Sequence, residues 1–226
     1  MGTSKGYIAP STPNWSSAKR GVSGYVSNPS DYNLKEAVSK FAKAMNADET
    51  ISNRAFAAFS NFVSFVSSSK NNGFSQALNN LGKNYIADLP PEEVFNELIN
   101  AFSEGNTVDD IIANNCISEA LEVLEIKTFE DLSNIKVNNL IKELVCQFAK
   151  QKFAQMFSEQ IQNKCANVIT ANKRLEEIQN YIYYTLKDNL TSEILSQVNP
   201  LDLANEEIII KAMKDAFDIL GYYYDE

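Results

Sequence analysis

Few groups in this sequence could carry chemistry. The most reactive is the α-amino group that removal of Met1 would expose on Gly2, whose small side chain favours that removal. An α-amine titrates near ~7.7–8.0 in reference peptides, well below lysine at ~10.4, so a useful fraction is uncharged and nucleophilic at neutral pH. The familiar use of such a glycine is N-myristoylation. That pattern, M-G-x-x-x-[ST], wants Ser or Thr where this chain has Gly6, so lipidation is disfavoured. Other chemistries lack their parts. The chain has no histidine, which removes imidazole acid–base catalysis, Ser-His and Cys-His nucleophiles and every imidazole zinc site. Cys116, Cys146 and Cys165 are too few for an all-thiolate zinc site, and their odd number and wide spacing suit reduced thiols in the cytoplasm. An enzyme would have to work through lysines, carboxylates or a metal held by Asp and Glu. The acidic pairs Glu92/Glu93, Asp109/Asp110, Glu176/Glu177 and Glu206/Glu207 are adjacent residues of predicted helices, which share a face poorly, so caps and solvated faces are expected rather than catalytic dyads. No catalytic residue, metal or cofactor is expected, and the chain is read as not an enzyme.

The Gly2 amine heads an unusual stretch. Residues 1–30 hold four of the eight glycines, three of the six prolines and the single tryptophan. They contain Lys5, Lys19 and Arg20 but no acid, a formal charge of +3 beside −12 for residues 31–226. No sustained apolar period runs through them, so a flexible leader with no face to bury is expected over 1–30, ahead of a helical domain over 31–226. Pro10-Ser11-Thr12-Pro13 matches the polyproline recognition shape P-x-x-P, though linker stiffness explains it better. Trp15 has no local core to join and could anchor the leader either on the body or in a partner's groove. Lys19 and Arg20 read as a solvated pair rather than a phosphate site.

The body must position whatever the leader does, and its pattern is helical throughout. Leu34, Val38, Phe41 and Ala42 mark an amphipathic helix over 31–45. Residues 50–69 are apolar almost all round, the mark of a buried central helix whose Phe56 to Phe65 belong to the core. Asn71, Asn72 and Gly73 stop it, and a short helix over 74–81 ends at Gly82. Pro90 and Pro91 with Glu92 and Glu93 start another, to about residue 103. Thr107 with Asp110 reads as a capping box for a helix to about 126, and Thr128 with Asp131 repeats the signal before a connecting turn. The longest stripe runs over 137–161, nearly 40 Å at ~1.5 Å per residue. Helices over 171–187 and 205–220 follow, with a short element over 192–198 and Gly221 as the final cap. The fold class is all-α, a compact multi-helix bundle-like domain of eight to ten helices with an extended leader. The rings of Tyr181, Tyr183, Tyr184 and 222–224 suit either a sticky surface or helix-end packing.

Length and composition fit one domain of ordinary size. No stretch approaches 18 apolar residues, and the N-terminus lacks the apolar run of a secretory signal, so neither membrane nor export is expected. A net charge of −9 argues against direct nucleic-acid binding.

The opening residues are more specific than their composition. Met1-Gly2-Thr3-Ser4, then Tyr7, Pro10, Pro13 and Trp15 ahead of a helical body, resemble the QatB family of the Qat anti-phage defence system. Arg54, residues 73–78 and Leu81-Gly82 extend the likeness into the body, with the match placed mainly on the first half of the chain. The resemblance implies a cytoplasmic defence component accompanied by an ATPase, a QueC-like enzyme and a TatD-like nuclease. It implies that the QueC-like enzyme binds the leader and conjugates a 7-deazaguanine group to Gly2. Thr3 and Ser4 would follow the acceptor into the active site, with Tyr7, Pro10, Pro13 and Trp15 in partner recognition. A leader of ~25 residues could span up to ~80 Å when extended. The alternative is a helical adaptor bridging the ATPase and the nuclease, with no terminal modification.

Overall fold

Thr12, Ser30, Thr107, Thr128 and Asn167 each cap the start of a helix with the side-chain oxygen. In the computed structural model, which describes residues 10–48, 53–102, 107–191, 194–195 and 205–222, every regular element among them is helical. The order is α1 (Pro13–Ser27), α2 (Asp31–Asn46), α3 (Asn53–Asn72), α4 (Phe74–Leu81), a 3-10 turn (Asn84–Asp88), α5 (Pro91–Asn100), α6 (Val108–Val123), α7 (Phe129–Asn134), α8 (Val137–Lys164), α9 (Val168–Asn189) and α10 (Asn205–Tyr222). The expected all-α class is therefore observed, at the upper end of the expected helix number. Both predicted capping boxes form: Thr107 with Asp110 opens α6 and Thr128 with Asp131 opens α7. The Asp131 carboxyl sits below its ordinary range chiefly because it accepts the Thr128 hydroxyl. Gly73 (φ 86°) and Gly82 (φ 68°) flank α4 in the backbone region that glycine alone enters freely.

Four elements differ from the expectation. Residues 13–27, read as leader, form α1. Thr12 caps it, Pro13 fills its first turn, and Trp15, Ala18, Gly21, Val22 and Tyr25 repeat every three or four residues as a buried stripe. The stripe escaped notice because two of its five members have little or no side chain. α6 stops at Val123, short of 126, because Glu125 takes a positive φ of 57° and the Ile126 amide turns back to the Leu121 carbonyl at 2.9 Å. The expected connecting turn after Thr128 is itself the short helix α7. Gly221 does not end the last helix, which runs through it to Tyr222. Most of the element expected over 192–198 lies outside the described residues.

The chain divides into two compact units where one domain was expected. The first comprises Met1–Ile51, Ala149–Leu190 and Lys214–Glu226, the second Ser52–Phe148 and Thr191–Met213, so α8 and α10 each contribute to both. The first unit is built on Phe41 of α2, whose ring meets Phe153, Phe157 and Phe217 edge-on at 5.2, 6.1 and 5.9 Å. α1 lies close along α2: a Cβ on Gly21 would stand 3.2 Å from the Ala37 Cα, tighter than ordinary contact. In the second unit α3 is central, as its all-round apolar pattern predicts. Phe59, Phe62 and Val66 are fully buried, Phe62 and Phe65 meet Phe102, and Phe56 and Phe59 meet Phe148. Unusually for a carboxylate, Glu143 of α8 is fully buried, and it accepts a hydrogen bond from Gln147 at 2.9 Å. Among the described residues no helix is long and apolar enough to cross a membrane.

Candidate functional site

Of the predicted site residues, Pro10 lies just ahead of α1, and Pro13 and Trp15 lie in its first turn. Gly2, Thr3, Ser4 and Tyr7 lie outside the described residues. Pro10 is half-buried, and its carbonyl accepts a hydrogen bond from the Lys19 ammonium at 3.0 Å. Pro13 is helical, so Pro10 to Pro13 is not a continuous polyproline segment, and Lys19 has a protein partner where a solvated side chain was expected.

Trp15 resolves the two roles left open for it. The indole is fully buried, packs against Phe41 and Phe157 at 6.3 and 6.1 Å, and donates its Nε1 hydrogen to Asp48 at 2.8 Å. A buried ring with its polar handle satisfied is an anchor on the body, not a hook for a partner. Two further ties hold α1. Gln160 of α8 donates to the Lys19 carbonyl at 2.8 Å and to the Ser23 hydroxyl at 2.9 Å. At the other end the Tyr25 hydroxyl donates to the Glu177 carboxylate at 2.6 Å, which also accepts Arg174 at 2.7 Å.

This last cluster is set by charge as well as geometry. Burial, then the bond to Glu177, pushes the Tyr25 phenol far above its ordinary value. Burial pushes Glu177 upward, but the bonds from Tyr25 and Arg174 outweigh it and hold the carboxyl below its ordinary value. A depressed carboxyl contributes stability above its unfolded pKa of about 4.3, lost as pH falls through the folded value. A raised phenol contributes stability below about 10, lost as pH rises beyond it. Thermal melts across pH should therefore show Tyr25→Phe and Glu177→Gln losing most, relative to the unchanged protein, near neutrality and least at both extremes. A loss independent of pH would contradict the assignment.

The first unit also holds a groove of about 470 Å³. The end of α2 gives it Lys43, Asn46 and Ala47, and the end of α10 gives it Phe217, Asp218, Gly221 and Tyr222. Asn46 donates to Asp218 at 2.7 Å, and the Ser39 hydroxyl donates to the Gly221 carbonyl at 3.0 Å, which ties the two helix ends together. Tyr222 is 74% exposed. A larger hollow of about 670 Å³ in the second unit is lined by amide and hydroxyl side chains such as Asn61, Ser68, Asn80 and Asn100. Among the described residues no three Cys, Asp or Glu side chains converge as a metal-binding group.

Sequence reasoning missed Asp48, Gln160, Tyr25 and Glu177. The Thr12-Pro13 start and the spacing of Trp15, Ala18, Val22 and Tyr25 were the available signals for α1, and nothing local pointed to their distant partners.

Comparison with known proteins places the body. The sequence model described as Qat anti-phage system associated protein QatB matches residues 46–220, well over half of the chain. The resemblance noted at the N-terminus lies before that match, whereas Arg54, residues 73–78 and Leu81-Gly82 lie within it. No curated protein and no solved structure matches the chain. Its helical body makes this chain a member of the QatB family, a protein associated with the Qat anti-phage system.

Proposed function

We propose that this defence component is not an enzyme but a substrate. Its Gly2 amine, after loss of Met1, is the acceptor for 7-deazaguanine conjugation by a QueC-like partner. The partner activates a deazaguanine carboxylate with ATP, releasing pyrophosphate. The Gly2 nitrogen attacks the carbonyl carbon of the adenylate, an amide bond forms, AMP leaves, and the amine gives up its proton. The chain supplies a nucleophile that needs no base from its own side chains, since an α-amine is partly neutral at pH 7. Residues 1–9 contain no acid that would repel an anionic adenylate. The observation that carries the reading is the Met1-Gly2-Thr3-Ser4 start on a chain whose body belongs to the QatB family.

The exposed rings of Tyr184 and Tyr222 favour a second reading. In it the helical body bridges an ATPase and a TatD-like nuclease, and residues 1–11 are dispensable. Deleting residues 2–11 separates the two. The substrate reading expects protection against phage to be lost while the truncated protein still accumulates and melts as before; the adaptor reading expects protection to remain.

A further inference from the structure

We infer that the modifying enzyme docks on the first unit, at the groove between the ends of α2 and α10, within reach of the Gly2 amine from the start of α1. The inference rests on the reading of Gly2 as acceptor. It starts from reach. Pro10 is held by Lys19, and α1 behind it is held by Trp15, Gln160 and Tyr25. Gly2 stands eight positions before Pro10, so a fully extended strand carries its amine at most ~26–29 Å from that point. Threading Gly2, Thr3 and Ser4 into a pocket uses ~10 Å of this, leaving under ~20 Å between the pocket mouth and Pro10. A small domain is itself ~30 Å across, so an enzyme at that distance must lie against the first unit.

The groove is the surface that fits. The bond from Trp15 to Asp48 sets the first turn of α1 against the end of α2, and Ala47, the neighbour of Asp48, lines the groove. Its contents are those of a docking centre: a buried ring at Phe217, an exposed ring at Tyr222, and Lys43, Asn46 and Asp218 around them. Docking there would convert capture of the acceptor strand into an intramolecular event at high effective concentration.

The test uses the QueC-like enzyme with a deazaguanine carboxylate and ATP, and follows the mass of the N-terminal peptide with time. Its acceptors are the Met-less intact chain and a synthetic peptide of residues 2–12 at equal low-micromolar concentration. The intact chain should be modified about 100-fold faster than the peptide, in keeping with the gain from a tethered second contact. Ala47→Arg and Tyr222→Asp, both at exposed positions, should each lower the intact chain's rate about tenfold, the equivalent of losing ~1.4 kcal/mol of docking. Circular-dichroism melts should show both variants folded as before. Equal rates for peptide and intact chain would overturn the docking inference and leave Gly2 as acceptor. Unchanged rates for both groove variants would overturn the groove. Faster modification in those variants would mean that residues 1–9 themselves occupy it, and would overturn the inference as well. No modification of either substrate would overturn this inference together with the acceptor reading.

Discussion

A Gly2→Phe chain is expected to keep Met1, to carry no deazaguanine group and to lose protection against phage. Three physical consequences point the same way. A bulky second residue blocks removal of Met1, so the nucleophile moves one residue outward and gains a large side chain. The phenylalanine ring then stands where a glycine lets the backbone come close to a partner's reacting carbon. Misplacing an attacking atom by about 1 Å is already enough to cost ~100-fold in rate. The protein is expected to accumulate and melt as before. Gly2→Ala is the informative companion, since it permits Met1 removal and adds only a methyl group. Partial modification with partial protection is expected for it. Full protection by Gly2→Phe, with Met1 retained, would refute the proposed role.

Trp15→Ala tests the anchor. Removing a fully buried tryptophan from a packed core costs ~3–5 kcal/mol, the transfer of its atoms plus the cavity left behind. For a chain of this size that corresponds to a fall in Tm of roughly 10 °C. The loss should be far smaller in Trp15→Phe, which keeps a ring against Phe41 and Phe157 but surrenders the hydrogen bond to Asp48. Had Trp15 been a hook for a partner, Trp15→Ala would leave the melting temperature unchanged. Calorimetry of the three proteins decides it.

The elements that could be read from sequence were those whose signals are local. Thr107 with Asp110, Thr128 with Asp131, and Gly73 and Gly82 around α4 announce themselves within four residues, because a cap is made by neighbours in the chain. α3 was legible for another reason: Phe56, Phe59, Phe62, Val63, Phe65 and Val66 stand so close together that the helix must be buried over much of its surface. α1 was not, because the stripe that buries it relies on Ala18 and Gly21, whose value is close approach to α2 rather than apolar bulk. Tyr25 and Glu177 are 152 positions apart, and Trp15 and Asp48 are 33 apart, so no periodicity could pair them. Nothing local marks Glu143 as buried, because carboxylates usually lie outside, yet α8 is enclosed enough to bury it with Gln147. The family was legible in the sequence, though mainly from other residues than those that establish it. The residues that suggested it stand mainly before residue 46, while the match that establishes it spans the helices from there to α10. The consequence of reading 13–27 as helix is mechanical: the segment from Gly2 to Pro10 can reach only about a third of the distance that a leader of ~25 residues could.

The most direct measurement is the mass of the N-terminal peptide from protein made with and without the QueC-like partner. The account predicts a Met-less peptide that gains one deazaguanine-sized group on Gly2 only when the partner is present and active. An unmodified Gly2 in both samples, with the enzyme shown to be active, would contradict it.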